Sequence, residues 1–209
     1  MRSGALALRV AATVLVVGGV CGACSPQPSA ETKALEPHLL SVGEVGEGFT
    51  EERGGQVSYG IGHLCPETDV SIDGVGAVKA WFVKPNGDYE ISVEEHLWTD
   101  TPERLDALMA DLKTAFDECD GVQWEYYGET MVRDVLTVPT VGDDQIAVRQ
   151  WTPDDDRDVE DWRIVYVRSG DTMAAISFYE GRSDGTAPRA MSSEKCHAIV
   201  ATAVQKLPN

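Results

Sequence analysis

Apolar residues recur with two different periods along this chain, and the change of period separates strands from helices. Residues 77–84 and 89–98 have the alternation of strands, and the turn sequence at 85–88, which contains Asn-Gly, predicts a β-hairpin between them. Apolar positions over 105–119 then follow helical spacing, and residues 100–101 supply a polar cap for this helix. The sequence therefore predicts a hairpin followed by an amphipathic helix.

The second half of the chain is a run of strand patterns that ends in another helix. This helix begins at Ser192 or Ser193 and carries one apolar stripe as far as Leu207. Connections of hairpin length predominate, so we expect a mainly antiparallel sheet in a single α+β domain, with the two main helices packed on one face. The strand patterns cover residues 123–127, 131–138, 145–151, 162–168 and 171–179.

The N-terminus has the layout of a secretory signal. Two arginines precede an apolar run over residues 10–19, and Cys24 follows the small pair Gly22-Ala23. This arrangement resembles a bacterial lipoprotein signal, in which the cysteine is diacylated and becomes the first residue of the mature protein. Cys21 occupies the position where the lipoprotein pattern prefers Leu or Val, and Cys21 as the acylated residue is the alternative.

The signal sets the expected domain limits and location. We predict a signal peptide over 1–23, a polar, proline-bearing flexible tether over 24–34 and one folded domain over 35–209. The apolar run is shorter than the ~20 residues of a spanning helix. We therefore expect the protein to be held on the extracytoplasmic face of the cell membrane by its diacylglycerol and palmitate chains. An ordinary cleaved signal that releases a soluble protein is the alternative.

The charge excludes one class of partner. The chain carries 35 Asp and Glu against 17 Lys and Arg, a formal net charge of −18. Such a surface repels phosphate, so we expect no nucleic-acid partner. The acidic composition favours solubility outside the cell.

Three cysteines remain in the mature chain, in an oxidising compartment where one intramolecular bridge and one free thiol are expected. Three pairings are possible. We favour Cys65–Cys119, because Cys65 lies in a loop and Cys119 ends a helix. Cys196 lies mid-helix on an apolar face, as a buried thiol does. The mature chain has no cysteine or histidine spacing typical of a zinc site, and we predict no metal and no cofactor.

Several segments resemble actinobacterial lipoproteins that carry a PknH-like sensor domain, the extracellular domain of a mycobacterial receptor serine/threonine kinase. The resemblance spans about residues 35–207 and implies a curved antiparallel sheet with helices against it, bounding a cleft for an unidentified ligand. Val45-Gly46-Glu47 departs from the usual Leu-Pro, and no kinase domain is present. The similar segments are Leu39 to Phe49, Phe116-Asp117-Glu118-Cys119, Val141 to Arg149 and Val167 to Asp171.

No segment has the pattern of a catalytic site. The acidic run Asp154 to Asp161 begins like a calcium-binding EF-hand loop, but the glycine and the final glutamate that such a loop needs are replaced by Val159 and Val165. A nucleophile-elbow motif is absent. His96 and Glu94 share one side of a strand, and a surface pair is the expected arrangement. We therefore predict that the protein is not an enzyme.

Aromatic residues in the strands are the remaining candidates for a ligand site. Most should pack in the sheet, and Trp81, Trp98, Trp124 and Tyr126 are the candidates to line an apolar cleft. The leading hypothesis is a non-catalytic sensor or ligand-binding lipoprotein. The alternative is a lipoprotein that docks an envelope protein without a small-molecule ligand, and an envelope hydrolase is a third possibility with less support.

Overall fold

The computed structural model describes residues 30–54, 77–86, 89–126, 129–152, 159–182 and 191–208. The helical elements are α1 (Ala30–Lys33), a 3-10 turn (Glu36–His38), α2 (Val42–Val45), α3 (Pro102–Glu118) and α4 (Ser193–Lys206). The strands are β1 (Thr50–Gly54), β2 (Val78–Asn86), β3 (Tyr89–Thr99), β4 (Gln123–Tyr126), β5 (Glu129–Leu136), β6 (Asp144–Trp151), β7 (Val159–Ser169) and β8 (Thr172–Arg182).

The strands of the described residues form one eight-stranded sheet in the order β1-β2-β3-β8-β7-β6-β5-β4, and all neighbours are antiparallel. The chain builds β1 to β3 as one half and β4 to β8 as a meander. Pairing of β3 with β8 joins the halves, so the last strand lies at the centre. The α+β class and the antiparallel sheet predicted from the sequence are confirmed.

Both faces of the sheet are covered by helices. Along β7, Val165 and Val167 pack in a cluster with α4, whereas Ile164 and Tyr166 pack in a second cluster with α3. Successive strand residues point to opposite faces, so the two clusters lie on opposite sides. We refer to the two sides as the α3 face and the α4 face.

The placement of the helices differs from the prediction that both pack on one face. The central strands are apolar on both sides: in β8, Met173 and Ala175 are buried on the α3 face, and Ala174 and Ile176 on the α4 face. A sheet with two apolar faces requires cover on both. In the sequence, the unbroken apolar run at 173–176 indicates that β8 is buried on both faces.

Both main helices begin at the predicted caps. Thr101 Oγ1 accepts a hydrogen bond from the Arg104 backbone N–H at 3.4 Å, and Pro102 follows as the first residue of α3. Ser192 Oγ accepts from the Lys195 N–H at 3.2 Å and begins α4. Each side chain satisfies a backbone donor that the helix leaves without a partner.

The N-terminal segment, residues 35–49, packs on the α4 face beside the C-terminal end of α4. Leu40 is fully buried, and its N–H donates to the buried Glu95 carboxylate at 2.6 Å. Lys206 Nζ donates to Leu39 O at 2.6 Å and contacts Glu44 Oε2 at 2.8 Å. These contacts join the start of the folded domain to its last helix. No helix among the described residues is long and apolar enough to cross a membrane.

Candidate ligand-binding pocket

A pocket opens on the α4 face beside the N-terminal half of α4. The sheet forms the floor, α4 forms one wall, and the loop between β5 and β6, residues 137–143, forms the other. The space between these elements is about 430 Å³ when the open solvent at its mouth is counted. Most of the lining is apolar. The lining residues are Leu136, Val138, Pro139, Val141, Gln145, Arg163, Val165, Phe178, Ser193, Cys196, His197 and Val200.

The loop wall is held in place by the side-chain amide of Gln145. Its Oε1 accepts from the Val141 N–H at 3.0 Å, and its Nε2 donates to Val138 O at 3.3 Å and to Pro139 O at 3.1 Å. One amide therefore fixes three positions of a segment that has no regular secondary structure. The apolar side chains of this wall are positioned before any ligand arrives.

The far end of the loop is fixed at Gly142. This residue has a φ of +69°, and a Cβ there would lie 2.5 Å from Arg168 O and 2.6 Å from a Val167 methyl group. Glycine alone combines this backbone conformation with so close an approach. The next residue, Asp143, donates its N–H to Arg168 O at 2.8 Å and accepts the Gly170 N–H at 2.7 Å. The loop is thereby fastened to the β7–β8 hairpin.

Arg163 supplies the charged group of the pocket lining, and its guanidinium is already paired. Nε and Nη2 donate to the two carboxylate oxygens of Asp161 at 3.4 and 3.2 Å. Nη1 donates to Met191 O at 2.7 Å and lies 3.5 Å from Cys196 Sγ. Burial lowers the pKa of Arg163, but the hydrogen bonds and charge of Asp161 outweigh it and raise the pKa above its usual value.

Asp161 also binds a second guanidinium. Arg149 contacts its two oxygens at 3.0 and 3.2 Å, so two arginines flank one carboxylate that is 2% exposed. Burial raises the pKa of Asp161, whereas the hydrogen bonds from Arg149 and Arg163 lower it, and the net pKa lies below the ordinary value. Arg149 also stacks over the Trp151 ring at 4.6 Å. An ionic cluster therefore borders the apolar pocket.

Cys196 is a free, buried thiol at the pocket. Burial raises its pKa, and the neighbouring Arg163 offsets this only in part. The thiolate is the nucleophilic form of cysteine, so a raised pKa makes Cys196 a weak nucleophile. Its burial on the apolar side of a helix agrees with the sequence expectation.

The four aromatic candidates do not come together. Trp98 is 2% exposed within the α3-face core, and Trp81 is half-buried on β2. Trp124 and Tyr126 lie on β4, at the other end of the sheet. Six strand spacings of ~4.8 Å separate β2 from β4, roughly 29 Å along the sheet. The pocket lining includes none of the four.

His96 is buried and Glu94 is half-buried, which differs from the surface pair expected from the sequence. His96 is 1% exposed, and its Nε2 lies 3.1 Å from Glu94 Oε1. Lys79 Nζ contacts the same oxygen at 3.2 Å. Burial raises the pKa of Glu94, but His96 and Lys79 outweigh it and hold the pKa below its ordinary value. The three side chains form a compact polar group on the α3 face.

A buried guanidinium also lies beside Cys119 at the end of α3. Arg133 is fully buried, its Nη1 lies 3.1 Å from Cys119 Sγ, and its Nη2 donates to Gln150 Oε1 at 3.2 Å. Burial lowers the pKa of Arg133 to about 10. Cys65, the proposed partner of Cys119, lies outside the described residues, so the pairing stays a prediction.

Two further predicted features lie partly or wholly outside the described residues. These are Cys24 with the signal peptide, and most of the acidic run Asp154 to Asp161. Within the described part of the chain, no group of three His, Cys, Asp or Glu side chains is arranged to hold a metal ion.

The residues that build the pocket had only weak signals in the sequence. Gln145 begins the predicted strand 145–151, and Arg163 has the pattern of an ordinary polar strand residue. Arg163 meets Met191 and Cys196 across separations of 28 and 33 residues. One signal for Arg163 is its position directly before the apolar run 164–167. A strand in a sheet buried on both faces has no exposed position, so a charged residue there needs a buried partner.

The fold is similar to that of a solved extracellular domain. The extracellular domain of PknH from Mycobacterium tuberculosis superimposes with a TM-score of 0.60 and 16% sequence identity, over 86% of this chain and 97% of that chain. The chain thus has a PknH-like fold, and the resemblance inferred from the sequence is confirmed at that level. No family model and no curated protein matches the sequence.

A second solved structure is also similar. It is an uncharacterized Mycobacterium smegmatis protein, the Rv0999 ortholog, with a TM-score of 0.46 and 13% identity over 87% of this chain and 97% of that chain.

Proposed function

We propose that the protein is an extracytoplasmic ligand-binding or sensor module that binds without catalysing a reaction. The observation that carries the proposal is the preformed pocket between α4 and residues 137–143. Its loop wall is fixed by Gln145, and its lining is mostly apolar with a few polar groups, as in small-molecule sites. The PknH-like fold supports the proposal because the similar structure is itself an extracellular domain.

The surface gives less support to a protein-docking role. Among the described residues, Val122 is the one large hydrophobic side chain that is exposed, at 40%. A docking lipoprotein would be expected to present a contiguous apolar patch. The cysteine of the pocket lining has a pKa raised by burial, which makes it a weak nucleophile and gives no support to a hydrolase.

The binding proposal is tested by native mass spectrometry of residues 31–209, secreted from an actinobacterial host. Excess mass that is present under native conditions and lost on denaturation indicates a co-purified ligand. The same measurement on Val200→Phe, which fills the pocket from α4, should give the bare mass. Ala198→Phe is the matched control, because Ala198 is exposed on the same helix. A bare mass for the wild type, together with no small-molecule binding, would refute the proposal.

We further propose that Cys24 carries the lipid anchor, with the mature protein held on the extracytoplasmic face of the membrane. The proposal rests on the small-residue pair before Cys24 and on the tether that follows. In cells fed an alkyne-labelled palmitate, Cys24→Ser should abolish labelling and release the protein from membranes. Cys21→Ser is the control and should retain both palmitate labelling and membrane association. The reverse result would show that Cys21, not Cys24, carries the lipid.

A further inference from the structure

The walls of the pocket restrict the chemistry of its occupant. Val138 and Val141 project from the loop, Val165 and Phe178 from the sheet, and Val200 from α4. Apolar surface therefore faces the cavity from three separate elements. A hydrocarbon group that enters the cavity gains the free energy of removing this surface, and its own, from water.

The charge of Arg163 is not available to an anion. Its guanidinium already donates to both oxygens of Asp161 and to Met191 O. An anionic ligand would have to displace Asp161, a buried carboxylate that also holds Arg149 at 3.0 Å. Anions are also opposed by the chain's net charge of −18.

The remaining polar groups of the lining are uncharged hydrogen-bonding groups or a histidine. Ser193 is exposed and His197 is half-buried, and both belong to the first turn and a half of α4. They suit an uncharged polar end such as a hydroxyl or an ester, because such a group needs hydrogen-bond partners but no counter-charge.

We propose that the pocket binds an uncharged, predominantly hydrocarbon group and discriminates against anions of the same shape. This inference rests on the proposed ligand-binding function and specifies its ligand class. Discrimination follows because Arg163 already donates to Asp161 and Met191 O, so an anionic ligand loses hydration without gaining an unengaged partner.

The test uses two fluorescent probes that share one ring system. N-phenyl-1-naphthylamine is uncharged, and 8-anilino-1-naphthalenesulfonate adds a sulfonate to the same rings. In fluorescence titrations of the folded domain, we expect the uncharged probe to bind at least about tenfold more tightly than the sulfonate. Val138→Trp should weaken the uncharged probe by about tenfold or more, because the larger ring fills the cavity from the loop.

Thr140→Trp is the matched control, since Thr140 is exposed on the same loop and does not line the pocket. It should leave both dissociation constants unchanged. Val200→Phe and its control Ala198→Phe repeat the comparison from the α4 wall, so a folding defect in one variant does not decide the result. Circular dichroism and the melting temperature identify variants that remain folded.

The outcomes separate the ligand class from the function. Preference for the uncharged probe, lost on filling either wall but kept in the controls, supports the inference. Equal or tighter binding of the sulfonate with the same dependence on the variants overturns the ligand class and leaves the binding function intact. Probe binding that ignores both wall variants overturns the inference. If the wild type then also shows a bare native mass, the proposed function fails with it.

Discussion

Removal of the Asp161 carboxylate is the perturbation for which the structure gives the clearest expectation. Asp161 is 2% exposed and is held between Arg149 and Arg163 by four contacts of 3.0 to 3.4 Å. Asp161→Asn keeps the shape but turns one acceptor into a donor that faces N–H groups. Two guanidinium groups then lose their counter-charge, and Arg163 is itself buried.

The size of the effect follows from opposing contributions. Each contact ion pair is worth on the order of 4 kcal/mol at an effective dielectric constant of 20. Desolvation of the carboxylate offsets several kcal/mol of this, and breaking a buried pair by removing one partner costs about 3–5 kcal/mol. Arg149 is 16% exposed, so water partly replaces its lost partner. We therefore expect Asp161→Asn to lower the free energy of unfolding by about 3 kcal/mol at pH 7, with a fall in Tm of about 6–12 °C.

Urea denaturation at several pH values measures this contribution. Hydrogen bonds from Arg149 and Arg163 outweigh burial and hold the pKa of Asp161 below its ordinary value. The stabilisation is therefore fully present above the unfolded-state pKa of about 3.9 and is lost as the pH falls through the folded-state pKa. The difference in stability between wild type and variant should begin to narrow near pH 4 and vanish below the folded-state pKa. Asp106→Asn, at a 64% exposed partner of Arg168, is the control and should change stability by less than about 0.5 kcal/mol. A loss below about 1 kcal/mol at Asp161, or a gap that does not narrow in acid, would refute the reasoning.

Three further predictions concern backbone, packing and covalent structure. Gly142→Ala should cost about 2–3 kcal/mol in urea denaturation, whereas Gly170→Ala, which shares the positive φ but meets no atom within 4 Å, should cost about 1–2 kcal/mol; equal losses would show that the contact with Arg168 is unimportant. Lys206→Met should speed amide exchange over residues 35–46 with little change in β8, because its Nζ holds that segment; unchanged exchange would count against it. Peptide mapping after alkylation without reductant should recover Cys65 and Cys119 as one bridged pair, and any other pairing contradicts the prediction.

The local features of the fold could be predicted from the sequence because their determinants are close in the chain. The cap at Thr101 lies next to the helix it begins, and Leu105, Met109 and Leu112 show their common side through spacing alone. The parity of β3 was also predictable, since Trp98 lies on the opposite face from Leu97. These features depend on backbone geometry, which a single segment specifies.

The pocket could not be predicted in this way, because its parts come from distant segments. Arg163 pairs with Asp161, two residues away, but its contacts with Met191 and Cys196 form only when the chain folds. The aromatic residues are candidates for a ligand site because their rings are large and apolar. Such side chains also fill protein cores, and Trp98 does so on the α3 face. The residue types of the pocket and of the aromatic candidates are visible in the sequence. Which of them become buried in the core and which line a pocket depends on the tertiary fold.

The position of the pocket follows from a change in the character of the α4 face. Toward β3 and the centre of the sheet, this face is apolar, and Ile199 and Ala203 of α4 pack into it together with Leu40. Toward the first residues of β7 this face becomes ionic at Asp161, with Arg149 of β6 and Arg163 beside it. An apolar helix cannot cover charged groups without a cost in desolvation. Close packing therefore ends near Cys196, and the gap beyond it is closed by the loop rather than by the helix. A cavity at this boundary has hydrocarbon on its walls and satisfied charges at its edge, which is the combination that selects an uncharged ligand.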